Sequence, residues 1–205
     1  MNYKNIFRMS MLFILTTSFI SPRQSSGIAG TKKWLVEENS NLCVNGSTNV
    51  NKFACEIPAY HQTDTLIITE KAGGKDVVLS GSIGLRVKYF DCHNVMMTRD
   101  LQKTLKEKEF PVFRISFLSL SKLPCLSAKP ELITGLVNIE IAGIRKRYKV
   151  NYQITEDDHK IIHLLGSQDL NFSDFNLVPP KKFGGVIKTR DKLSVDFNLN
   201  IKPME

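Results

Sequence analysis

Only a few residues in this chain are of types that could do chemistry. His159 and His163, four apart, would form a zinc pair on one face of a helix. They flank Ile161 and Ile162, which read as strand, and there the same spacing separates the two rings by about 13 Å, too far to share an ion. Cys92-His93 offers a thiol beside an imidazole, the makings of a metal ligand pair or a reactive nucleophile, and Asp157-Asp158 offers two carboxylates in what reads as a solvated turn. Gly73-Gly74 and Gly184-Gly185 lack the Gly-Lys-Ser continuation and the strand-to-helix setting of a phosphate loop. A reaction needs a nucleophile with its base, a tuned carboxylate pair or a metal cage. The sequence proposes none of these, so the expectation is a protein that is not an enzyme, with no catalytic residue, metal or cofactor.

The elements available to position such residues are strands. Leu193, Val195, Phe197, Leu199 and Ile201 alternate with Ser194, Asp196, Asn198 and Asn200 in strict period two. The same alternation places Ile83, Leu85, Val87 and Tyr89 on one face opposite Arg86 and Lys88. It sets Phe113, Ile115 and Phe117 opposite Arg114 and Ser116, and Val137, Ile139 and Ile141 opposite Asn138 and Glu140. Tyr148, Val150, Tyr152 and Ile154 alternate with Arg147, Lys149, Asn151 and Gln153. Each pattern predicts a half-buried strand. A strand ending at Ala142 and another beginning at Arg145 predict a tight hairpin through Gly143 and Ile144. Weaker strands are expected over 42–45, 53–60, 66–69 and 161–165. One segment departs from period two: Met97, Leu101 and Leu105 recur at i, i+4 and i+8, predicting a short amphipathic helix over 96–109, closed by Phe110-Pro111. About nine strands without regular strand-helix alternation argue for an all-β sandwich or closed barrel, in one domain of 205 residues.

The N-terminus reads as a secretory signal peptide over residues 1–29. Lys4 and Arg8 precede the apolar run Met9 to Ile20, followed by small and polar residues. Twelve residues span about 18 Å as a helix, short of the roughly 30 Å hydrocarbon core, so a stable membrane anchor is disfavoured. The remaining domain, 30–205, is expected to be periplasmic or secreted. Export makes Cys43, Cys55, Cys92 and Cys125 candidates for disulfides, with three full pairings open. Without the leader, 25 basic residues face 20 acidic ones, an excess too mild and too dispersed to predict nucleic-acid binding. Oligomeric state is not legible.

Short motifs recur in order along the chain. They begin with Trp34-Leu35-Val36, the run Ser40 to Val50 and Phe53. They continue with Asp91-Cys92, Met96-Met97, Arg99-Asp100, Leu105-Lys106 and Phe110-Pro111, and close with Ser173-Asp174-Phe175, Pro179-Pro180, Gly184-Gly185 and Lys188 to Asp191. Over residues 34–201 this resembles the YceI-like family of polyisoprenoid-binding, lipocalin-like barrels, in a branch carrying Asn49, Cys55 and Cys92. The resemblance implies an extended antiparallel barrel of about eight strands with one short helix. It also implies an apolar interior that holds a lipid-like ligand such as an isoprenoid, a quinone or a fatty-acyl chain. It further implies a Cys55–Cys92 disulfide, leaving Cys43 and Cys125 with less support as a pair.

An eight-stranded barrel either fills with side chains or holds one small ligand. The inward candidates for lining a tunnel are Leu85, Val87, Phe113, Ile115, Phe117, Val137, Ile139, Tyr148, Val150, Val195, Phe197 and Leu199. Burying ten to twenty methylenes at about 0.8 kcal/mol each is enough to offset an association cost of roughly 4–15 kcal/mol without a charged anchor. The competing expectation is a ligand-free structural or protein-interaction module whose barrel presents loops such as 178–189.

Overall fold

Alternating apolar residues commit a strand to one buried face, and eight such strands here close on themselves. The computed structural model describes residues 28–71 and 77–204. The proposed leader therefore lies outside the described residues except for Ile28 and Ala29, which open the first strand, and Gly73-Gly74 also lies outside.

The barrel consists of β1 (Ile28–Val36), β4 (Thr65–Lys71), β5 (Val77–Arg86), β6 (Val112–Leu120), β7 (Glu131–Ile141), β8 (Ile144–Glu156), β9 (Ile162–Asn171) and β12 (Lys192–Met204). These pair antiparallel in that order, and β12 returns to β1. Between β1 and β4 lie β2 (Asn41–Ser47) and β3 (Lys52–Ile57), a hairpin added to the same sheet. A two-rung ribbon, β10 (Lys181–Lys182) with β11 (Ile187–Lys188), lies outside the barrel wall.

β12 organises the closure. One edge pairs with β9 over ten residues; the other meets β1 at Val36↔Ile201 and β2 at Asn41↔Asn198. Residues 37–40 step the chain from one partner segment to the next. Buried Ser40 secures the step, its Oγ accepting from the Asn200 backbone N–H at 2.9 Å. Beyond it, the outer edge of β3 meets no long strand but a single bridge, Glu56↔Asp91. That end of the barrel is covered instead by a 3-10 turn (Val87–Tyr89) and by helix α1 (Val95–Thr104).

α1 starts where Asn94 accepts from the Met97 backbone N–H at 3.0 Å, satisfying one of the free donors of the first turn. Leu101 and Leu105 are buried on its inner face and Met97 is half-buried. The helix is shorter than the 96–109 expected. It ends at Thr104 because Lys106 turns left-handed at φ +54° and the chain must return so that the Pro111 carbonyl can accept from the Val87 N–H.

Other expectations shift for equally local reasons. The β7–β8 turn is Ala142-Gly143, one residue earlier than Gly143-Ile144, because Ile141 and Ile144 are register partners. Both turn residues take positive φ, 49° and 78°, the signature of the hairpin turn whose twist matches the strands. The alternation of β5 ends at Arg86. Val87 is buried within the 3-10 turn, and the rotation of that turn exposes Tyr89 and buries Phe90 in its place. His159 stands in the 157–161 turn rather than in a strand, whereas Asp157-Asp158 does form that turn.

The core runs through the whole barrel. Trp34, Leu66, Leu79, Ile154, Ile162, Leu164 and Ile201 are almost fully buried. Midway along it, Gly166 of β9 stands in register between Tyr152 of β8 and Phe197 of β12. Without a Cβ there, the Phe197 ring lies over the strand and meets Tyr152 edge-on, with centroids 5.9 Å apart.

Candidate functional site

Three spaces are linked by shared lining residues, beginning at the α1 end. The outermost is a surface pocket of about 210 Å³ between α1, the β2–β3 hairpin and the β10–β11 ribbon, walled by Phe53, Met96, Met97, Leu101, Phe172 and Phe183. Deeper in the barrel is a void of about 50 Å³ lined only by apolar side chains, among them Leu42, Phe90, Leu101, Leu105 and Leu170. A third space of about 10 Å³ lies beside Tyr60 and shares Leu42 with the second. Leu101, on the inner face of α1, lines both the outer pocket and the inner space and is the residue they share. A more open depression of about 500 Å³ is bounded by charged residues between Arg99 and Glu109 and lacks an apolar wall.

The twelve candidate lining residues divide accordingly. Phe113, Ile115, Ile139 and Val195 face the 50 Å³ void, and Leu85, Phe197 and Leu199 face the smaller one. Val87, Phe117, Val137 and Val150 are buried but border neither. Tyr148 is half-buried at the barrel rim, where its hydroxyl donates to Asp174 Oδ2 at 3.3 Å. Burial, reinforced by that carboxylate, pushes the phenol up to about 12, so it stays neutral. The sequence reading missed Leu42, Val44, Phe90, Leu101, Leu105, Leu170 and Leu193 as lining residues. For Leu101 and Leu105 the helical spacing was the available signal; Phe90 carried none, since only the 3-10 turn rotates it inward.

Cys55 and Cys92 form a disulfide with Cα atoms 3.9 Å apart, joining β3 to the residues that lead into α1. It fixes the helix over the void from the side where the sheet supplies no strand. The bond takes up the thiol of Cys92, and His93 turns outward to Glu56, with Nε2 to Oε1 at 3.1 Å. Cys43 and Cys125 are free thiols, and partial burial raises the pKa of Cys43, which disfavours its nucleophilic thiolate.

His163 belongs to a polar cluster on the outer wall. Its Nδ1 lies 2.6 Å from Asn200 Oδ1 and its Nε2 lies 3.1 Å from Asp157 Oδ2. The Asp157 carboxyl is held below its ordinary value, first by the Ile161 backbone N–H and then by His163 and the His159 N–H. The cluster ties the 157–161 turn to β12 and opens into none of the three spaces. Among the described residues, no group of three or more His, Cys, Asp or Glu could hold a metal ion, and no helix is long and apolar enough to cross a membrane.

No family model matches the chain, and no curated protein matches it in sequence. Solved structures do match in shape. A polyisoprenoid-binding domain from Saccharophagus degradans, implicated in plant cell wall breakdown, aligns with a TM-score of 0.59 at 9% identity, covering 82% of this chain and 97% of that one. BcnA of Burkholderia cenocepacia aligns with a TM-score of 0.58 at 14% identity, over 78% of this chain and 95% of that one. A mutant of the Campylobacter jejuni YceI protein aligns at 0.47 and 14% identity, over 62% and 72% of the two chains. A closed eight-stranded antiparallel barrel carrying one helix, which aligns with nearly the whole of a polyisoprenoid-binding domain, gives this chain the lipocalin-like barrel fold of that domain.

Proposed function

We propose that this protein is an exported carrier that holds an apolar, lipid-like molecule at the α1 end of its barrel and performs no reaction on it. The observation that carries this reading is the pair of largely apolar spaces at the α1 end, a surface pocket and a deeper space that have Leu101 as a common wall. An isoprenoid, quinone or fatty-acyl chain needs such a wall and no charged anchor, because methylene burial alone supplies the affinity. That a domain of the same fold is described as polyisoprenoid-binding supports this class of cargo. Export rests on the N-terminal apolar run and its basic flank, and the Cys55–Cys92 disulfide is compatible with an oxidising compartment. On this reading, residues 1–29 are removed and 30–205 form the working domain.

A second reading, a barrel that carries no small ligand and serves as a scaffold for protein contacts, draws on a specific observation. The inner void of about 50 Å³ is far smaller than the roughly 150 Å³ apolar cavity that takes up a benzene-sized ligand, and Tyr152 and Phe197 pack edge-on within the core. The two readings separate by extraction. Protein purified from its own host is subjected to native mass spectrometry and to lipid extraction with mass spectrometry of the extract. A stoichiometric apolar molecule is the expected result. Protein recovered empty in repeated preparations, with a filled interior in its crystal structure, would establish the scaffold reading instead.

A further inference from the structure

Of the eleven large apolar residues that the described chain leaves exposed, Val50, Met96 and Phe183 line the outer pocket, and Val95 and Val186 are chain neighbours of residues that line it. They come from three separate elements, held together by polar contacts. Asn49 Nδ2 donates to the Val186 carbonyl at 2.9 Å, and Asn49 Oδ1 accepts from the Lys188 N–H at 2.9 Å. Lys182 pairs with Asp100 of α1, and Thr48 bridges to Thr189. The most prominent of the five is Phe183, 78% exposed at the tip of the β10–β11 ribbon and held at φ +49°. A bulky residue at positive φ costs backbone energy, and here the ring gains no burial in return.

The charge around this rim is one-sided. Lys181 and Lys188 are direct register partners across the ribbon, both exposed, a like-charge pairing that disfavours the ribbon unless an anion lies against it. Lys52 and Arg190 flank the same rim: Lys52 pairs with Ser47, and the Arg190 N–H donates to the Ser47 carbonyl at 2.8 Å. The nearby acids are already engaged, Asp100 by Lys182 and Asp191 by the Ser173 hydroxyl.

We propose that this rim docks onto an anionic lipid bilayer, with Phe183 and Val186 entering the interface and Lys181 and Lys188 meeting headgroup phosphates. A phenylalanine tip flanked by lysines suits the boundary between headgroups and acyl chains, where the apolar ring is buried while the ammonium groups stay among the headgroups, each lysine near an anionic surface contributing about 1 kcal/mol. The docked orientation sets the outer pocket against the membrane. Docking does not depend on what the barrel carries, so it can succeed or fail independently of the cargo reading.

The test uses protein purified from its own host and vesicles of phosphatidylethanolamine with phosphatidylglycerol, compared with neutral phosphatidylcholine vesicles in flotation. The expected result is binding to the anionic vesicles that weakens with salt and falls roughly 30-fold, two lysines' worth, in the Lys181→Ala/Lys188→Ala variant. Phe183→Asn, which removes the ring while tolerating positive φ, also weakens binding. Phe183→Trp provides a reporter, since the native Trp34 is buried. Its emission shifts to the blue with anionic vesicles and is unmoved by inorganic phosphate or glycerol phosphate. Any N-terminal segment is common to all variants, so the differences isolate the rim. Equal binding by native protein and both variants would overturn the proposal. So would no preference for anionic vesicles, or capture by an acidic polypeptide but not by vesicles.

Discussion

Tyr152 is the least comfortable residue in the barrel. Its ring is packed against Phe197, yet its hydroxyl is buried without a hydrogen-bond partner, and burial raises its pKa further. A desolvated, unpaired hydroxyl costs about 1–3 kcal/mol. Tyr152→Phe is therefore expected to stabilise the protein by about 1 kcal/mol, read as a higher urea midpoint at unchanged slope. Gly166 predicts the opposite sign, because an added Cβ would sit 2.2 Å from the Phe197 ring. Gly166→Ala forces the ring out of its rotamer at a cost of about 1–3 kcal/mol by the same measurement. Asp157 sets a pH dependence. Its folded pKa lies below the ordinary 3.8, so its contribution is complete above that value and is lost as pH falls through the lowered one. In Asp157→Asn, stability should be lower near neutral pH, and its decline on acidification below about pH 4 should be shallower.

At the scale of elements, the weak place is the edge of β3. A hairpin strand there meets only the bridge to Asp91, and α1 packs over the opening through Leu101 and Leu105. The Cys55–Cys92 bond spans 37 residues of sequence and ties these parts together. Closing a loop of that length restricts the unfolded chain by about 3–4 kcal/mol. The double variant Cys55→Ser/Cys92→Ser should lose a stability of that order in urea unfolding, and dithiothreitol should reproduce the loss in the native protein but not in the variant. Since the bond anchors the segment entering α1, reduction is also expected to raise amide exchange in 93–105 well before the β7–β8 hairpin responds.

For the whole molecule, the decisive dimension is the depth available to an apolar chain. Leu101 lines both the outer pocket and the inner void, so Leu101→Ala should widen both toward each other while costing about 2–5 kcal/mol of stability. Affinity for a series of fatty acids, measured by displacement of a fluorescent apolar probe, should then continue to rise with chain length beyond the point at which the native protein levels off. A native protein and variant with the same length dependence would show that Leu101 does not limit access.

The sequence by itself determined the all-β class, the strands and the approximate place of the helix. Residues 193–201 and 147–154 could form nothing else with one face buried, because period two leaves no apolar stripe for a helix. β1 was hidden because only Trp34 and Val36 of its described side chains turn into the core, too few to show a period. The ordered motifs added the kind of barrel and the Cys55–Cys92 pairing. Tertiary structure alone decided where the barrel is full and where it is open. Gly166, Tyr152 and Phe197 are apart in sequence and become neighbours only through register, and Leu101 becomes a wall common to two spaces only because the β2–β3 hairpin leaves an edge for α1 to cover. The exposed rim around Phe183 was equally invisible, because a period reports which face a residue takes within one element, whereas a site is assembled between elements.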